Sequence, residues 1–207
     1  MQRRPERRAL RRGIIIAAAI QSALLLGCSE GDTRSYEPRC SLDELETFDS
    51  AIPAGWTVVN GGSGAETWTW YQGLLDWDFA PLAANGGVLV DSRAGAYGEA
   101  DDADLETPLY DIGNCAEATV SFRYYYKDNP DDDQDIGEVY LIPGGVDTPV
   151  LVREFDTSNP PGVPASYSFP VTETLLNERD SFSVLFHYEG RDDWGWYVDD
   201  VAVTGVL

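Results

Sequence analysis

The last strand-like segment of the chain combines residue types that can bind a metal ion or a ligand. It reads RDDWGWYVDDVAVTG over residues 191–205, with an acidic pair on either side of its two tryptophans. Strand alternation divides it into two faces, with Trp196, Val198 and Asp200 on one and Tyr197 and Asp199 on the other. We expect Val198 and Val201 to be buried. Carboxylate oxygens suit calcium, so the segment either contributes to a calcium site or caps turns in water.

A second acidic stretch, residues 128–138, has part of the spacing of a calcium-binding loop. Asp131, Asp133 and Asp135 have the spacing of the first, third and fifth positions of an EF-hand loop. The glycine of that motif comes one place late, and Ile142 stands where a bidentate glutamate is required. The flanking segments also resemble strands. We therefore expect a solvated hairpin loop, with weak calcium binding as the alternative.

Tryptophans near the ends of strand-like segments are candidates for ligand contact. The chain has six tryptophans, and sugar rings stack on aromatic side chains while carboxylates and amides bind the hydroxyl groups. Trp77, in the loop-like stretch LLDWDFAP, and Trp194 are predicted to contact a ligand at the surface. The alternative is that both tryptophans pack under loops.

Residues that could support catalysis are sparse. The single histidine, His187, lies in the apolar strand-like segment SVLFHYE, where a structural role is expected. A serine hydrolase would also need a G-x-S-x-G elbow, which the sequence lacks. Acid–base carboxylate pairs, as in glycosidases, are the open alternative in so acidic a chain. We predict no catalytic residues and no enzymatic activity.

The first 27 residues have the pattern of an export signal. Six arginines precede an apolar run of 13 residues, Ile14 to Leu26, which is shorter than a membrane-spanning helix requires. The sequence LLGC that ends at Cys28 resembles the bacterial lipobox, whose cysteine is lipidated. We predict that residues 1–27 are a signal peptide, that Cys28 carries lipid and that residues 28–39 are a flexible tether. An ordinary signal peptide or an uncleaved anchor are the alternatives.

This N-terminal pattern also predicts a location. The protein is expected to be exported and anchored to the bacterial cell envelope, at the outer membrane or the cell surface. Membrane contact is expected through the N-terminal lipid alone.

The charge balance excludes several classes of partner. Without residues 1–27, which carry six arginines and one glutamate, the formal net charge falls from −22 to −27. Lys127 is the only lysine in the chain. Such a surface repels nucleic acids and anionic lipid headgroups, so we predict no nucleic-acid binding. Adaptation to high salt would give the same acidity, so charge alone does not establish a metal site.

Two cysteines remain once Cys28 is assigned to lipid. In an oxidising compartment Cys40 and Cys115 are most simply a disulfide. Two separate buried thiols are the alternative. The sequence has no C-x-x-C motif and no Cys/His cluster, so a zinc site is not expected.

Strand-like segments dominate the rest of the chain. Nine segments are rich in β-branched and aromatic residues and are separated by Gly, Pro, Asn or Asp. They cover residues 55–60, 67–71, 86–92, 118–127, 137–142, 149–155, 166–171, 181–189 and 195–203. Residues 42–48 come nearest to a helical pattern. No linker interrupts residues 40–207, so we predict one all-β domain, a two-sheet antiparallel β-sandwich of the jelly-roll type.

Five short motifs follow one another between Glu46 and Gly205. They are ETFDSAIPAGWTVVN, TWTW, GGVLVDSRAGAYGEADDADLETPLYD, CAEATVSFRYYYK and WGWYVDDVAV. Their order resembles that of the MAM-like jelly rolls, most closely the bacterial cleaved-adhesin or choice-of-anchor J group. The resemblance implies a domain that binds a glycan or a protein and has no catalytic activity.

The same resemblance implies structural calcium. Matching the motifs position by position makes Glu46, Asp49, Asp91 and Asp199 the expected calcium ligands. We therefore expect a calcium-stabilised adhesion module whose partner is a glycan or an envelope or extracellular protein. The alternatives are a structural subunit that binds another envelope protein, and an accessory domain of a secreted hydrolase.

Overall fold

The computed structural model describes residues 40–72, 86–92, 100–127, 135–146, 148–156, 163–191 and 195–207. They belong to one unit of the chain, Glu37–Leu207. Within the described residues there are twelve strands and one short helix: β1 (Asp43–Glu46), β2 (Thr57–Asn60), β3 (Thr69–Tyr71), β4 (Gly87–Asp91), β5 (Asp101–Glu106), β6 (Tyr110–Asp111), β7 (Glu117–Lys127), β8 (Ile136–Pro143), β9 (Val150–Phe155), β10 (Ala165–Val171), α1 (Glu173–Leu176), β11 (Ser181–Gly190) and β12 (Gly195–Val206).

These strands form two antiparallel sheets. The first sheet has the order β10-β7-β12-β4-β3, and β1 also pairs with β12. The second sheet has the order β2-β5-β11-β8-β9, and β6 also pairs with β11. Strand β12 has β7 on one side and both β4 and β1 on the other. The predicted two-sheet antiparallel β-sandwich is confirmed.

The long strand β7 demonstrates how the sequence separates the faces of a sheet. Val120 and Phe122 are buried in the core between the sheets, and Tyr124 packs against that core. The alternate residues Arg123 and Tyr125 lie on the outward face, where Tyr125 belongs to a separate small cluster. The period of two that the sequence predicts for this strand is therefore confirmed.

Aromatic side chains fill the core from both sheets. Trp196 of β12 is fully buried, and its ring centroid lies 5.4 Å from that of Trp68, 5.3 Å from Phe155 and 5.8 Å from Phe186. Phe122 meets Phe186 edge-on at 5.1 Å across the two sheets. Each buried aromatic side chain removes a large apolar area from water, so these contacts hold the two sheets together.

Two acidic segments are strands that the sequence pattern did not predict. Residues 42–48 contain β1 rather than a helical turn, because pairing with β12 satisfies their backbone groups. Residues 101–106 form β5, which pairs with both β2 and β11. In β5 the apolar residues Ala103 and Leu105 face the core, and Asp102 and Asp104 face outward.

A β-bulge in β12 changes the phase of the last strand. The register of β12 against β7 shifts between Asp199 and Ala202, and Asp200 has a positive φ of 48°. Val198 and Val201 are consequently both buried, as expected. Simple alternation predicts that Asp200 shares the face of Val198, and this prediction was wrong. The Asp200 carboxylate instead accepts a hydrogen bond of 3.1 Å from outward-facing Arg123, because the bulge turns the chain at this point.

A disulfide joins the start of the described chain to the beginning of β7. Cys40 and Cys115 are bonded across a sequence separation of 75, so the disulfide prediction is confirmed. Gly205 of β12 lies directly beneath the bond, where an added Cβ would approach both sulfur atoms to 2.6 Å. The disulfide therefore packs against the end of the central strand of the first sheet.

The described end of the acidic stretch 128–138 is not solvated. Asp135 is 2 % exposed, and its side chain accepts hydrogen bonds from the hydroxyl of Tyr188 at 2.9 Å and the backbone N–H of Arg191 at 3.0 Å. The solvated-loop prediction was wrong for this residue, since these donors let the carboxylate serve as an internal anchor. Asp131 and Asp133 lie outside the described residues.

Among the described residues, no helix has the length and hydrophobicity to cross a membrane. The predicted signal peptide, the lipidated Cys28 and the tether 28–39 lie outside the part of the chain that the structure describes. Their assignment remains a prediction from the sequence.

Replacing Gly195 tests the close approach of β12 to β4. An added Cβ would lie 2.3 Å from the carbonyl oxygen of Val90, so a strand must move. We expect Gly195→Ala to lower the free energy of unfolding by about 2 kcal/mol in a urea titration. Thr204→Ser, at an exposed position of the same strand, should change it by less than about 0.5 kcal/mol. Equal values for the two variants would contradict the packing described here.

Candidate functional site

Asp199 is a carboxylate buried at the β12 bulge. Its side chain has no exposed surface. The Oδ1 atom accepts a hydrogen bond of 2.8 Å from the backbone N–H of Asp200. The Oδ2 atom is buried and has no hydrogen-bond partner. A buried acceptor without a donor costs free energy, so this oxygen is suited to a ligand that the protein alone does not supply.

The surroundings of Asp199 are mostly acidic. Burial raises the pKa of the Asp199 carboxyl to about 6. The carboxylates of Asp200 and Asp49 contribute to this rise, while the Asp200 backbone N–H and the Arg123 guanidinium oppose it. A divalent cation would reverse the unfavourable balance, because it favours the ionised carboxylate.

The turn after β1 brings Asp49, another predicted ligand, to this region. Glu46 stands opposite Val201, directly after the bulge, and its Oε1 accepts the backbone N–H of Phe48 at 2.8 Å. Phe48 has a positive φ of 47°, and its carbonyl oxygen accepts the Trp70 indole N–H at 2.6 Å. These two hydrogen bonds hold the turn, so Asp49 follows in a fixed backbone conformation near Asp199.

Asp91 is not brought to the same place. It stands opposite Gly195 on β12, four positions before Asp199. At 3.4 Å per residue this is roughly 14 Å along the strand, more than two side chains can span to share one ion. Asp49 is the predicted ligand whose carboxylate acts on Asp199. Glu46, Asp49 and Asp199 do not bring three ligand atoms within 4.8 Å of one another, and Asp91 lies at the opposite end of the β4–β12 pair. Asp49 and Asp199 offer the hard oxygen atoms that calcium takes.

The outward face of the second sheet is a second candidate site. Glu138, Tyr140 and Ser183 point away from the core, yet none is more than 9 % exposed. The Tyr140 hydroxyl donates to the Glu138 carboxylate, and the Ser183 hydroxyl donates to the Glu106 carboxylate at 2.7 Å. This face therefore holds ordered hydroxyl and carboxylate groups beside an aromatic ring, largely shielded from solvent, and the sheet positions them.

His187 also lies on this outward face. It faces away from the core residues Phe186 and Tyr188, and its ring nitrogens lie close to Asp104 and Glu189. Burial alone would lower the pKa of His187, but the hydrogen bonds to these two carboxylates outweigh burial and raise the pKa to about 10. Asp102, Asp104 and His187 were not predicted as site residues. The alternation of the flanking apolar residues indicates only that they face outward.

The two predicted ligand-contacting tryptophans, Trp77 and Trp194, lie outside the described residues. Their role remains a prediction. Trp68 and Trp196 are buried in the core, and the Trp68 indole N–H donates to the carbonyl oxygen of Ala103 at 3.1 Å. These two tryptophans therefore serve packing rather than ligand contact.

The fold and these sites define an all-β sandwich domain with outward-facing polar surfaces. No protein-family model and no curated protein sequence matches the chain. Among solved structures, the chain is similar to the K1 cleaved adhesin domain of Lys-gingipain from Porphyromonas gingivalis W83. The TM-score is 0.62 at 18% identity, over 81% of this chain and 100% of that domain.

Two further structures share the sandwich. The K3 cleaved adhesin domain of the same protein gives a TM-score of 0.55 at 18% identity, over 80% of this chain and 99% of that one. TmCBM61, solved in complex with β-1,4-galactotriose, gives a TM-score of 0.52 at 12% identity, over 77% of this chain and 94% of that one. At these identities the likeness establishes a related β-sandwich fold, and it agrees with the cleaved-adhesin resemblance at the level of the fold.

Proposed function

We propose that the protein is a lipid-anchored, exported binding module that recognises carbohydrate through the outward face of its second sheet and does not catalyse a reaction. The observation that carries this proposal is the ordered polar group on that face. Tyr140 and Glu138 form one hydrogen-bonded pair, and Ser183 and Glu106 form another. Sugar hydroxyls bind to such carboxylates and hydroxyls, and a sugar ring stacks on an adjacent aromatic side chain.

One comparison supports this choice of ligand class, and the other supports a binding role. The sandwich is shared with cleaved adhesin domains and with a module solved in complex with β-1,4-galactotriose.

The absence of catalysis is proposed because the one histidine of the chain is engaged at both ring nitrogens by carboxylates.

Calcium forms a second part of the proposal. The buried, unpartnered Oδ2 of Asp199 and the nearby carboxylate of Asp49 support a structural calcium ion at this place, with Glu46 as a further ligand proposed from the sequence. Such an ion would tie β1 to β12 and would neutralise the carboxylates gathered at the bulge. Its role is to stabilise the sandwich, since these residues lie in the first sheet and the proposed glycan face lies in the second.

A glycan array tests the carbohydrate proposal. The full chain should bind a defined set of oligosaccharides, and β-1,4-galactotriose belongs in the set. Tyr140→Phe removes the hydroxyl that bonds Glu138, and we expect it to weaken binding about tenfold. Tyr71→Phe, a matched change on the outward face of the first sheet, should leave binding unchanged. Trp77→Ala and Trp194→Ala test the tryptophans predicted from the sequence.

A protein-binding subunit of the envelope is the second candidate function. Leu89, Tyr125 and Tyr197 form a buried apolar cluster on the outward face of the first sheet, with Tyr71 packed against it. Tyrosine is common in protein interfaces. No glycan binding, together with an envelope protein whose binding depends on Tyr71, would favour this candidate over the first.

A further inference from the structure

An imidazole and two carboxylates meet across β5 and β11 on the outward face of the second sheet. Strand pairing sets His187 opposite Asp104 and Glu189 opposite Asp102. The His187 Nδ1 lies 2.8 Å from Asp104 Oδ1 and 3.8 Å from Asp102 Oδ1. One ligand atom from each of His187, Asp104 and Asp102 therefore falls within 4.8 Å of the others, a closeness that this group alone reaches among the described residues.

The orientation of the imidazole distinguishes this group from an ordinary acidic patch. Nδ1 faces Asp104 and Asp102, while Nε2 lies 3.2 Å from the Glu189 carboxylate. Metal-binding histidines use this arrangement, in which the nitrogen away from the metal donates its proton to a carboxylate that fixes the ring. The ring is thus oriented with one nitrogen toward two oxygen ligands and the other held in place.

Charge and exposure are both suited to a cation. Three carboxylates surround one imidazole, and Glu138 stands opposite His187 on the other side of β11, with the ring of Tyr140 nearby. The side chains of His187 and Asp104 are each 16% exposed, whereas those of Asp102 and Glu189 are 46% and 59% exposed. An ion could therefore enter from the solvent side, rest on the two less exposed ligands and keep water in its remaining positions.

We propose that this group binds a divalent transition-metal ion of the zinc class, with His187 Nδ1, Asp104 and Asp102 as ligands and Glu189 holding the Nε2 proton. The imidazole nitrogen selects zinc-class ions over calcium and magnesium, which prefer oxygen ligands alone. The site is separate from the proposed calcium site, because Asp199 belongs to the first sheet and these residues to the second. The proposal does not depend on glycan binding.

Zinc titration of the full chain, purified without a polyhistidine tag, tests the proposal. His187 is the only histidine, so its imidazole nitrogen resonances are identified without further assignment. Zinc should shift the Nδ1 resonance, leave a proton on Nε2 and give one bound ion per chain by calorimetry. Excess calcium should not displace the zinc.

Three variants localise the bound ion. His187→Gln should lower zinc affinity at least a hundredfold, and Asp102→Asn should lower it about tenfold. Glu189→Gln should also lower it about tenfold, because it removes the carboxylate that orients the ring. Asp43→Asn, an exposed acidic residue of β1, is the matched control and should bind zinc like the unmodified chain.

Two results would overturn the proposal. One is an imidazole spectrum that does not change at millimolar zinc. The other is equal zinc affinity in Asp102→Asn and the unmodified chain. Either result would assign His187 to a cross-strand ion pair with its carboxylates and nothing more. Asp102 is half exposed, so its variant keeps the test valid even if His187→Gln fails to fold.

Discussion

Replacing Cys40 and Cys115 together by alanine will lower the free energy of unfolding by about 4 kcal/mol. The bond closes a span of 75 residues. In the chain-entropy model, a cross-link over a loop of that length lowers the conformational entropy of the unfolded chain, which stabilises the folded state by about 4 kcal/mol. For a domain of this size the melting temperature should fall by about 10 °C. Differential scanning calorimetry of both proteins, each as the full chain, measures the change.

Reduction supplies the control for this prediction. Dithiothreitol should lower the melting temperature of the unmodified chain toward that of the double alanine variant, and it should leave the variant itself unchanged. If the unmodified chain keeps its melting temperature after complete reduction, the bond contributes no stability and the prediction is wrong.

The second large effect is expected from calcium at Asp199. With calcium at a hundred times its dissociation constant, the free energy of unfolding should rise by about 2.7 kcal/mol. EDTA should remove this gain, and renewed calcium should restore it. Asp199→Asn should abolish the response, because it replaces the buried carboxylate that faces the proposed ion, while Asp43→Asn should retain it. A melting temperature that does not change with EDTA or calcium at low ionic strength would contradict the calcium proposal.

The pH dependence of the metal-free chain gives an independent test of the same carboxyl. Burial first, and then its acidic neighbours, raise the pKa of Asp199 to about 6, above the unperturbed value of about 3.9. Between these values the folded chain holds a proton that the unfolded chain has released. The contribution of Asp199 to stability is therefore complete below about pH 4 and is lost as the pH rises through about 6.

Asp199→Asn should therefore change the free energy of unfolding in opposite directions with and without calcium. In EDTA at pH 7.5, Asp199→Asn should raise the free energy of unfolding by about 1 kcal/mol, since it removes a buried charge whose Oδ2 has no donor. With saturating calcium the unmodified chain should be the more stable of the two. Urea titrations of both proteins under both conditions measure the difference, and the same sign in both conditions would contradict the proposed role of Asp199.

The sandwich could be predicted because its core obeys simple rules. In β7 and β11 apolar residues alternate with polar ones at the period of a strand, and the even pair Cys40 and Cys115 forms a disulfide as expected. Strand β5 was not predicted from the sequence because four of its six residues are acidic, and acidic residues are depleted in strands. Its apolar pair, Ala103 and Leu105, is too short a signal to stand out.

The sites were less predictable because they depend on pairing between distant segments. His187 and Asp104 are 83 residues apart in sequence and become neighbours only through the register of β5 on β11. At the other site, the bulge moves Asp200 off the face that strict alternation gives it and leaves Asp199 buried. Neither the strand register nor the β-bulge could be predicted from the sequence alone.

The position of β12 also determines when the molecule can fold. It is the last strand in chain order, yet it lies at the centre of the first sheet and supplies the pairing edge for β1, β4 and β7. A growing polypeptide that has not reached residue 195 leaves those three strands without their shared neighbour. The first sheet therefore cannot assemble progressively from the N-terminal side, and its completion waits for the final segment. Contacts of such long sequence separation form slowly, so the first sheet is completed only after residues 195–206 are available.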